Sequence, residues 1–467
     1  KVEVIADSYV KTEFGTGCVK ITPAHDPNDF AMGKRHNLEF IDVMTDQGTM
    51  NENCPEEFQG LDRFDARKLV IKKLKSLSLF EKIESIKHSQ PFSQRSGSLI
   101  EPRLSKQWFV KMKPLAKKAI EYAKKDELKF HPSNWKKTYL HWLENIEDWC
   151  ISRQLWWGHR IPIWHCSDCG KITTGVETPT SCKHCQSSNI TQENDVLDTW
   201  FSSWLWPVSP FGWPTKTKEL ERFFPSNVLI TGADIIYLWV ARMVMLSDYT
   251  MGKLPFCDVY FNAIVCDKSG RKFSKTLDNG IDPIEVLDTH GADAVRFTCV
   301  NIAPLGGRLK MELSDFDTGK RFVSKIWNAN RYLASHLKAQ KIEDFDDNLD
   351  LPSQWILEEF RVATKKIHQS FCDYKIHEAA HSLYHLTWHS FCDWTLESLK
   401  VSLQDSSNKN SLSVALYVWH GILRLLAPVM PFVSDKIYQD LPCHPRWEKS
   451  ESLVTASFPT LFIADKA

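Results

Sequence analysis

No run of apolar residues in this chain approaches the roughly 18 that a membrane-spanning helix requires, which excludes such a helix. An apolar secretory leader is missing too. Neither sign of charge dominates, because 58 Lys and Arg residues balance 58 Asp and Glu. No global positive field therefore advertises a nucleic-acid partner, and any RNA must be held by local patches. There is no internal repeat and no low-complexity tract, which excludes repeat architectures. An initiator methionine is also missing. Lys1 opens the chain inside what reads as a strand (Val2, Val4, Ala6), so a truncated start is expected.

What is present is enough for two to four domains, since single cores stop growing well below 467 residues. Residues 1–85 alternate short apolar runs with turn signals and one helical stretch, an α+β pattern. Between Arg103 and Lys137 eleven basic residues face three acidic ones, with Trp108, Phe109, Tyr122 and Trp135 interleaved. That is the composition of a solvated helix face or of a contact with RNA phosphates. Strand-like and helical segments alternate from Ile151 to Phe297, as in α/β architecture. An acidic stretch, residues 343–347, with Pro352 beyond it reads as a linker into a helical bundle. There Tyr384, Trp388, Phe391, Cys392 and Leu399 fall on one helical face, and Val414, Val418, Ile422 and Leu425 on another.

Of the 13 cysteines, nine are scattered singly and read as buried apolar residues, a reducing-compartment pattern that points to the cytoplasm. The other four form two pairs, Cys166-x2-Cys169 and, twelve residues on, Cys182-x2-Cys185. Four thiolates in two knuckles, with Gly170 permitting a tight turn, suit a tetrahedral structural Zn2+. Two disulfides are the alternative, as is replacement of one thiolate by His165 or His184.

Apolar residues 259–266 predict a strand, a turn follows at 267–270, and then comes Lys272-Phe273-Ser274-Lys275-Thr276. Two ammonium groups three residues apart on a mobile loop can follow charge as it develops on a departing pyrophosphate. Taken alone, the five residues also describe an ordinary basic loop. Their company is more telling: Ile281-Asp282-Pro283 and residues 291–297 (GADAVRF) follow. The series resembles the signature loop of class I aminoacyl-tRNA synthetases, usually Lys-Met-Ser-Lys-Ser. Asp278 stands where the family commonly has glycine, an added carboxylate on a stiffer backbone.

Residues 148–162 (DWCISRQLWWGHRIP) and 195–203 (DVLDTWFSS) resemble the valine, leucine and isoleucine group of that family, and 231–239 (TGADIIYLW) its valyl branch. Thr199, Ser202, Ser203 and Trp206-Pro207 resemble its valyl branch. The resemblance implies that Asp234, Ile235, Trp239 and Trp200 line the amino-acid pocket, although the two tryptophans also read as simple core. It implies that Ser274 and Lys275 bind ATP, which enters with Mg2+, and that Lys272 and Lys275 are catalytic. Residues 15–30 (GTGCVKITPAHDPNDF) resemble the editing domain, which hydrolyses wrongly charged tRNA. Lys20, Thr22, Asp26 and Asp29 would belong to its pocket. Asp26 before Pro27 is equally a helix N-cap, with Asp29 in the first turn. Residues 391–394 (FCDW) and 425–432 (LLAPVMPF) extend the likeness into the bundle, which in the family binds the anticodon region of tRNA.

None of the 17 histidines forms the His-x-Gly-His element that completes such a site, and the family places it upstream of the editing insertion. The expected architecture is an incomplete Rossmann-type α/β nucleotide-binding domain at 86–317, with a zinc-binding insertion at 165–190. A partial α+β editing domain at 1–85 and a C-terminal α-helical, anticodon-binding bundle at 318–467 complete it. The expected function is ATP-dependent valine activation and transfer to tRNA(Val) by a monomer away from membranes, with editing of threonyl-tRNA and no adenylate formation by this chain alone. The rivals are a non-catalytic tRNA-binding paralogue and an isoleucine-specific enzyme. Lys272, Lys275, Asp234 and Asp29 argue against the first, and Thr199 with Trp206-Pro207 against the second.

Overall fold

The computed structural model describes residues 2–459 apart from 14, 86, 94, 95, 276, 338–342 and 405–409. Thr276 of the basic loop thus lies outside the described residues. By its contacts the chain divides between Trp108 and Phe109 into two units, each described by itself.

The first unit is built on two helices, Pro27–His36 and Arg63–Ser76. Asp26 caps the first, its side chain accepting from Asn28 N and Asp29 N, and Asn37 closes it in the left-handed region at φ 52°. The last turn is held by Asp7, whose carboxylate accepts from Arg35 at 2.9 and 3.0 Å and meets His36 at 2.8 Å. Those donors keep the Asp7 carboxyl far below the usual carboxylate range. The strand expected near residues 2–6 does not form: described residues 2–7 carry none, and Val2 and Val4 are exposed; the apolar run at 19–21 forms no strand either. A strand needs a neighbour to take its backbone bonds. Here the N–H of Thr22 goes to the Asp29 carboxylate instead.

The second unit centres on a parallel sheet in the order Lys129–His131, Asp258–Asn262, Val228–Gly232. Val259 and Phe261, two apart on the central strand, are fully buried on one face. They join a core with residues of helices Met112–Lys124, Trp135–Glu144 and Ala241–Met251. Beyond Ala263 the central strand resumes as Ile264–Cys266, paired in parallel with Arg308–Lys310. Ile163–Cys166 forms a separate antiparallel sheet with Ile172–Thr174 and Ile190–Gln192.

The bundle follows, and its middle helix, Asn410–Leu426, is buried at every position from Ser411 to Leu426. The expected stripe of Val414, Val418, Ile422 and Leu425 is inside, but so are all its other sides, as for any helix enclosed by its neighbours. Gly421 is required there, because a Cβ would collide with the Phe360 ring. Of the other expected face, Phe391, Cys392 and Leu399 are buried, whereas Tyr384 and Trp388 are only partly covered and stack on each other at 5.3 Å. The cause is a switch in winding: α-helix Ile376–Tyr384 runs into a π-helix, His385–Thr395, whose i→i+5 bonds shift the face. Nor is the acidic stretch a loose linker. Phe345 is buried against Tyr417 at 5.6 Å, and Asp344 pairs with Arg446 at 2.7 Å. Three of the scattered cysteines, Cys18, Cys257 and Cys372, are exposed rather than core.

One junction ties the α/β part to the bundle. Asp293 is buried in helix Ala292–Ile302 and accepts from Val433 N at 2.6 Å and Phe432 N at 3.3 Å, at the start of helix Pro431–Asp440. Arg296 donates to the carbonyls of Val429 and Pro428, each at 3.0 Å. Burial pushes the Asp293 carboxyl up, opposed by those two N–H donors.

Two bundle histidines set an acid limit. His420 and His444 are fully enclosed, and burial depresses each to about 4. Unfolded imidazoles protonate near ~6.5, so the unfolded state binds more protons below that value. The stability they contribute is complete above ~6.5 and is lost as pH falls towards about 4, on the order of 3 kcal/mol for each histidine. Urea midpoints measured from pH 7.5 to 4.5 are expected to fall accordingly, with a flatter profile in His420→Gln/His444→Gln. A double variant with the parent's slope would contradict the assignment.

Candidate functional site

The basic loop hangs from strand Ile264–Cys266, and Cys266 forms a bridge with Lys272, so the loop returns along the strand it left. Its first turn closes through Asp267: Gly270 N donates to its carbonyl at 2.8 Å and Arg271 N and Nε to its carboxylate at 2.9 and 2.8 Å. Asn279 latches the other end, donating to Asp267 at 2.9 Å and accepting from Ser274 N at 2.9 Å. Asn279 first, then the Arg271 N–H, hold the Asp267 carboxyl at about 2, so the latch stays ionised near neutrality. Sequence reasoning missed both latch residues, since only a carboxylate and an amide twelve apart signal them. Asp278 adopts φ 48°, the left-handed conformation that glycine takes freely and aspartate tolerates. The exchange of glycine for Asp278 thus keeps the backbone shape.

Across from this loop, strand Val228–Gly232 ends in a short 3-10 turn, Ala233–Ile235, that presents Asp234. The Lys272 ammonium lies 2.7 Å from the Asp234 carboxylate, so two residues singled out separately in sequence meet here. A Cβ on Gly232 would come within 2.7 Å of Asp234 Oδ1, which explains the glycine. Ile235 and Trp239 are half-buried, as is Trp200. Trp239 donates to the Ser203 carbonyl at 3.0 Å, and the helix Thr199–Ser203 packs on Ile236–Val240, which brings the two tryptophans to one edge of the core. Beneath them Asp198 accepts from Trp149 Nε1 at 2.9 Å and Arg153 at 2.8 Å and caps Trp200 N at 3.2 Å. The Arg242 guanidinium lies 3.5 Å over the Trp149 ring, and burial lowers its pKa to about 10. Lys275 is exposed, and Ser274 is half-buried.

Four thiols converge in the insertion. Cys166 and Cys185 sulfurs are 3.5 Å apart, those of Cys169 and Cys182 are 3.7 Å apart, and all four lie within 4.8 Å of one another. Such separations exclude disulfide bonds of about 2.05 Å. The alternative histidines are engaged elsewhere, His165 with Glu193 at 3.0 Å and His184 with the Ile172 carbonyl at 3.2 Å. Each knuckle closes alike: Gly170 N donates to Cys166 O and Gln186 N to Cys182 O, both at 3.0 Å, and both residues have positive φ.

In the first unit Lys20, Thr22, Asp26 and Asp29 also come together. Lys20 Nζ lies 3.1 Å from Thr22 Oγ1, which with the Thr22 N–H donates to Asp29 Oδ2 at 3.2 and 2.7 Å. Asp26 serves the helix cap. Asp29 is 9 % exposed, so the N-cap and the binding reading bear on the same short chain of bonds. The basic stretch divides between its two readings: Lys118, Lys124 and Lys136 pair with Glu121, Glu144 and Asp126. Tyr122 bonds Asp248 at 2.7 Å and Trp135 packs on the core, so neither presents its face to a base.

Comparison with known proteins places these features. The family model for class I tRNA synthetases (I, L, M and V) matches residues 39–312. An anticodon-binding domain of tRNA ligase matches 353–466, and the editing domain of leucyl-tRNA synthetase matches 1–70. Valine–tRNA ligases of Treponema denticola and Pseudothermotoga lettingae are each 46% identical over 98% of this chain, and that of Thermotoga maritima 44% over 99%. The match covers 52% of each, so the chain spans about half the length of the curated relatives it matches. Among solved structures, an Agrobacterium radiobacter leucyl-tRNA synthetase in a ternary complex with tRNA superposes at TM-score 0.57 and 19% identity, over 97% of this chain and 51% of that one. A Mycobacterium tuberculosis methionyl-tRNA synthetase bound by methionyl-adenylate gives 0.59 and 15%, over 74% and 65%. Both show a shared fold. Because the family match runs unbroken through the 233–235 turn, the thiol cluster and the basic loop, the chain belongs to the class I tRNA synthetases of the isoleucine, leucine, methionine and valine group.

Proposed function

We propose that the chain is part of a valine–tRNA ligase and supplies the pyrophosphate-facing half of its activation site. The observation that carries this is the pairing of Lys272 with Asp234, which sets the basic loop beside the turn that the family resemblance assigns to the amino acid. In the reaction the valine carboxylate attacks the α-phosphorus of ATP, bound with Mg2+, giving valyl-adenylate and pyrophosphate. Lys272 and Lys275 stabilise the charge that builds on the leaving pyrophosphate, and the Ser274 hydroxyl donates to the same phosphates. Asp234, Ile235, Trp239 and Trp200 offer one carboxylate and an apolar wall, the chemistry of an ammonium-bearing aliphatic ligand. The tRNA 3′ hydroxyl then displaces AMP, while the bundle holds the anticodon region of tRNA(Val). In the complete enzyme Lys275→Ala is expected to slow valine-dependent pyrophosphate exchange by about two to three orders of magnitude, the scale of one preorganised contact. A rate within about threefold of the parent would remove the loop from the chemistry.

The cysteine quartet fits zinc, since tetrahedral ligands about 2.3 Å from the ion stand about 3.8 Å apart. Cys166, Cys169, Cys182 and Cys185 would fill every position of a structural ion, which closes the insertion and performs no chemistry. Elemental analysis should find one zinc per chain that Cys182→Ser removes. A folded, reduced chain without zinc would reject the site.

The first unit is proposed to hydrolyse threonyl-tRNA. An apolar valine pocket cannot strongly reject threonine, a limit for which valyl enzymes are themselves the standing example. Asp29 would hold the α-ammonium of the misplaced threonine, beside Lys20 and Thr22. Asp29→Asn keeps an oxygen for Thr22 N but removes the charge. It should cost no more than roughly 1 kcal/mol of stability. Deacylation of threonyl-tRNA should fall at least about tenfold while valine-dependent exchange persists. Unchanged deacylation would leave Asp29 a purely structural residue.

A further inference from the structure

Four of the 17 histidines, His377, His381, His385 and His389, follow one another at four-residue spacing, outside every motif discussed above. Four residues overshoot an α-helical turn of about 3.6 and fall short of an i→i+5 turn. The first half of this segment is α-helix Ile376–Tyr384 and the second is π-helix His385–Thr395, so the two drifts have opposite sign and the imidazoles stay on one side. His381, His385 and His389 are exposed. Ring centroids are 6.3 Å apart for His377 and His381 and 5.3 Å for His385 and His389.

The second pair has something the first lacks among the described residues. Asp393, one further step along, lies with Oδ2 3.2 Å from His389 Nδ1, and its other oxygen is held by Lys325 Nζ at 2.9 Å. A carboxylate only accepts, so Nδ1 carries the proton and a neutral His389 presents its lone pair at Nε2. A carboxylate on the far nitrogen is the arrangement that orients metal-ligating imidazoles and raises their basicity. Two histidines four apart on one helix is also a spacing that brings two imidazoles to a single ion. Imidazole pairs select borderline transition metals over Mg2+ or Ca2+, which take oxygen.

We propose that His385 and His389 form a surface site for one divalent transition-metal ion, of the Zn2+, Ni2+ or Cu2+ class, with Asp393 as the positioning residue and water in the remaining positions. The site is independent of the cysteine quartet and of the reaction proposed above. As a simple surface ion pair, His389 and Asp393 would instead have no use for His385.

The test is calorimetric titration of the whole zinc-loaded chain with Ni2+, with absorbance followed for nickel–thiolate bands. One Ni2+ per chain is expected, without such bands. Affinity should fall at least about a hundredfold in His385→Gln and in His389→Gln, as for any bidentate site cut to one ligand, and about ten- to a hundredfold in Asp393→Asn. His377→Gln/His381→Gln should bind as the parent does. Absence of Ni2+ uptake, uptake accompanied by thiolate bands, undiminished binding in His385→Gln/His389→Gln, or loss of binding in His377→Gln/His381→Gln would each overturn the assignment. Circular dichroism of these exposed-residue variants verifies that each is folded.

Discussion

The clamp between Asp293, Arg296 and the start of helix Pro431–Asp440 ties the α/β part to the bundle within one unit. Its two charges do opposite jobs, the carboxylate taking N–H groups at a helix start and the guanidinium taking the carbonyls just before it. Asp293, which is buried, therefore keeps its partners without solvent, the condition for holding a polar group inside, whereas Arg296 stays exposed. The consequence reaches the loop. Helix Ala292–Ile302, which carries the clamp, packs through Val295 and Cys299 on the same small core of Val286, Leu309, Met311 and Phe316 as Val265 of the strand that launches residues 267–280. Under the proposed function, a bundle that holds tRNA would share that support with the loop that meets ATP.

The loop itself is a balance of fixed and free charge. Asp267 and Asn279 pin its ends, Lys272 is already paired with Asp234, and Lys275 remains exposed. Since Lys272 and Asp234 are both at least half exposed, their attraction is screened and worth little in stability. A weak pair is useful here. Under the proposed function, a substrate ammonium and a substrate phosphate would each replace one partner at small cost, and binding either would free the other group for its own ligand.

Much of this was legible in sequence because it depends on spacing. The two cysteine pairs predicted converging thiols, and Lys272-x2-Lys275 after a strand and a turn predicted a basic loop. What stayed hidden depends on tertiary partners. Asp278 looked like a stiffening intrusion until its φ of 48° showed the backbone taking a glycine's path. The face of Tyr384 and Trp388 followed from a 3.6-residue period that the π-helix breaks. Phe345 amid acids looked like a linker, yet one buried ring is enough to hold that segment down. In the first unit, alternation near Val2 and Val4 counted for nothing without a pairing strand.

The family is established over both units, whereas the choice of valine rests on Thr199, Trp206-Pro207 and the identity of the relatives. Those relatives are about twice as long as this chain, so specificity has to be read from the complete enzyme. The most direct measurement is aminoacylation of unfractionated tRNA with labelled valine, isoleucine, leucine and methionine, compared side by side as kcat/KM. Valine attached at least about a hundredfold more efficiently than isoleucine is the predicted result, the scale on which a pocket excludes one extra methylene. Isoleucine attached as well as valine, or better, would contradict it.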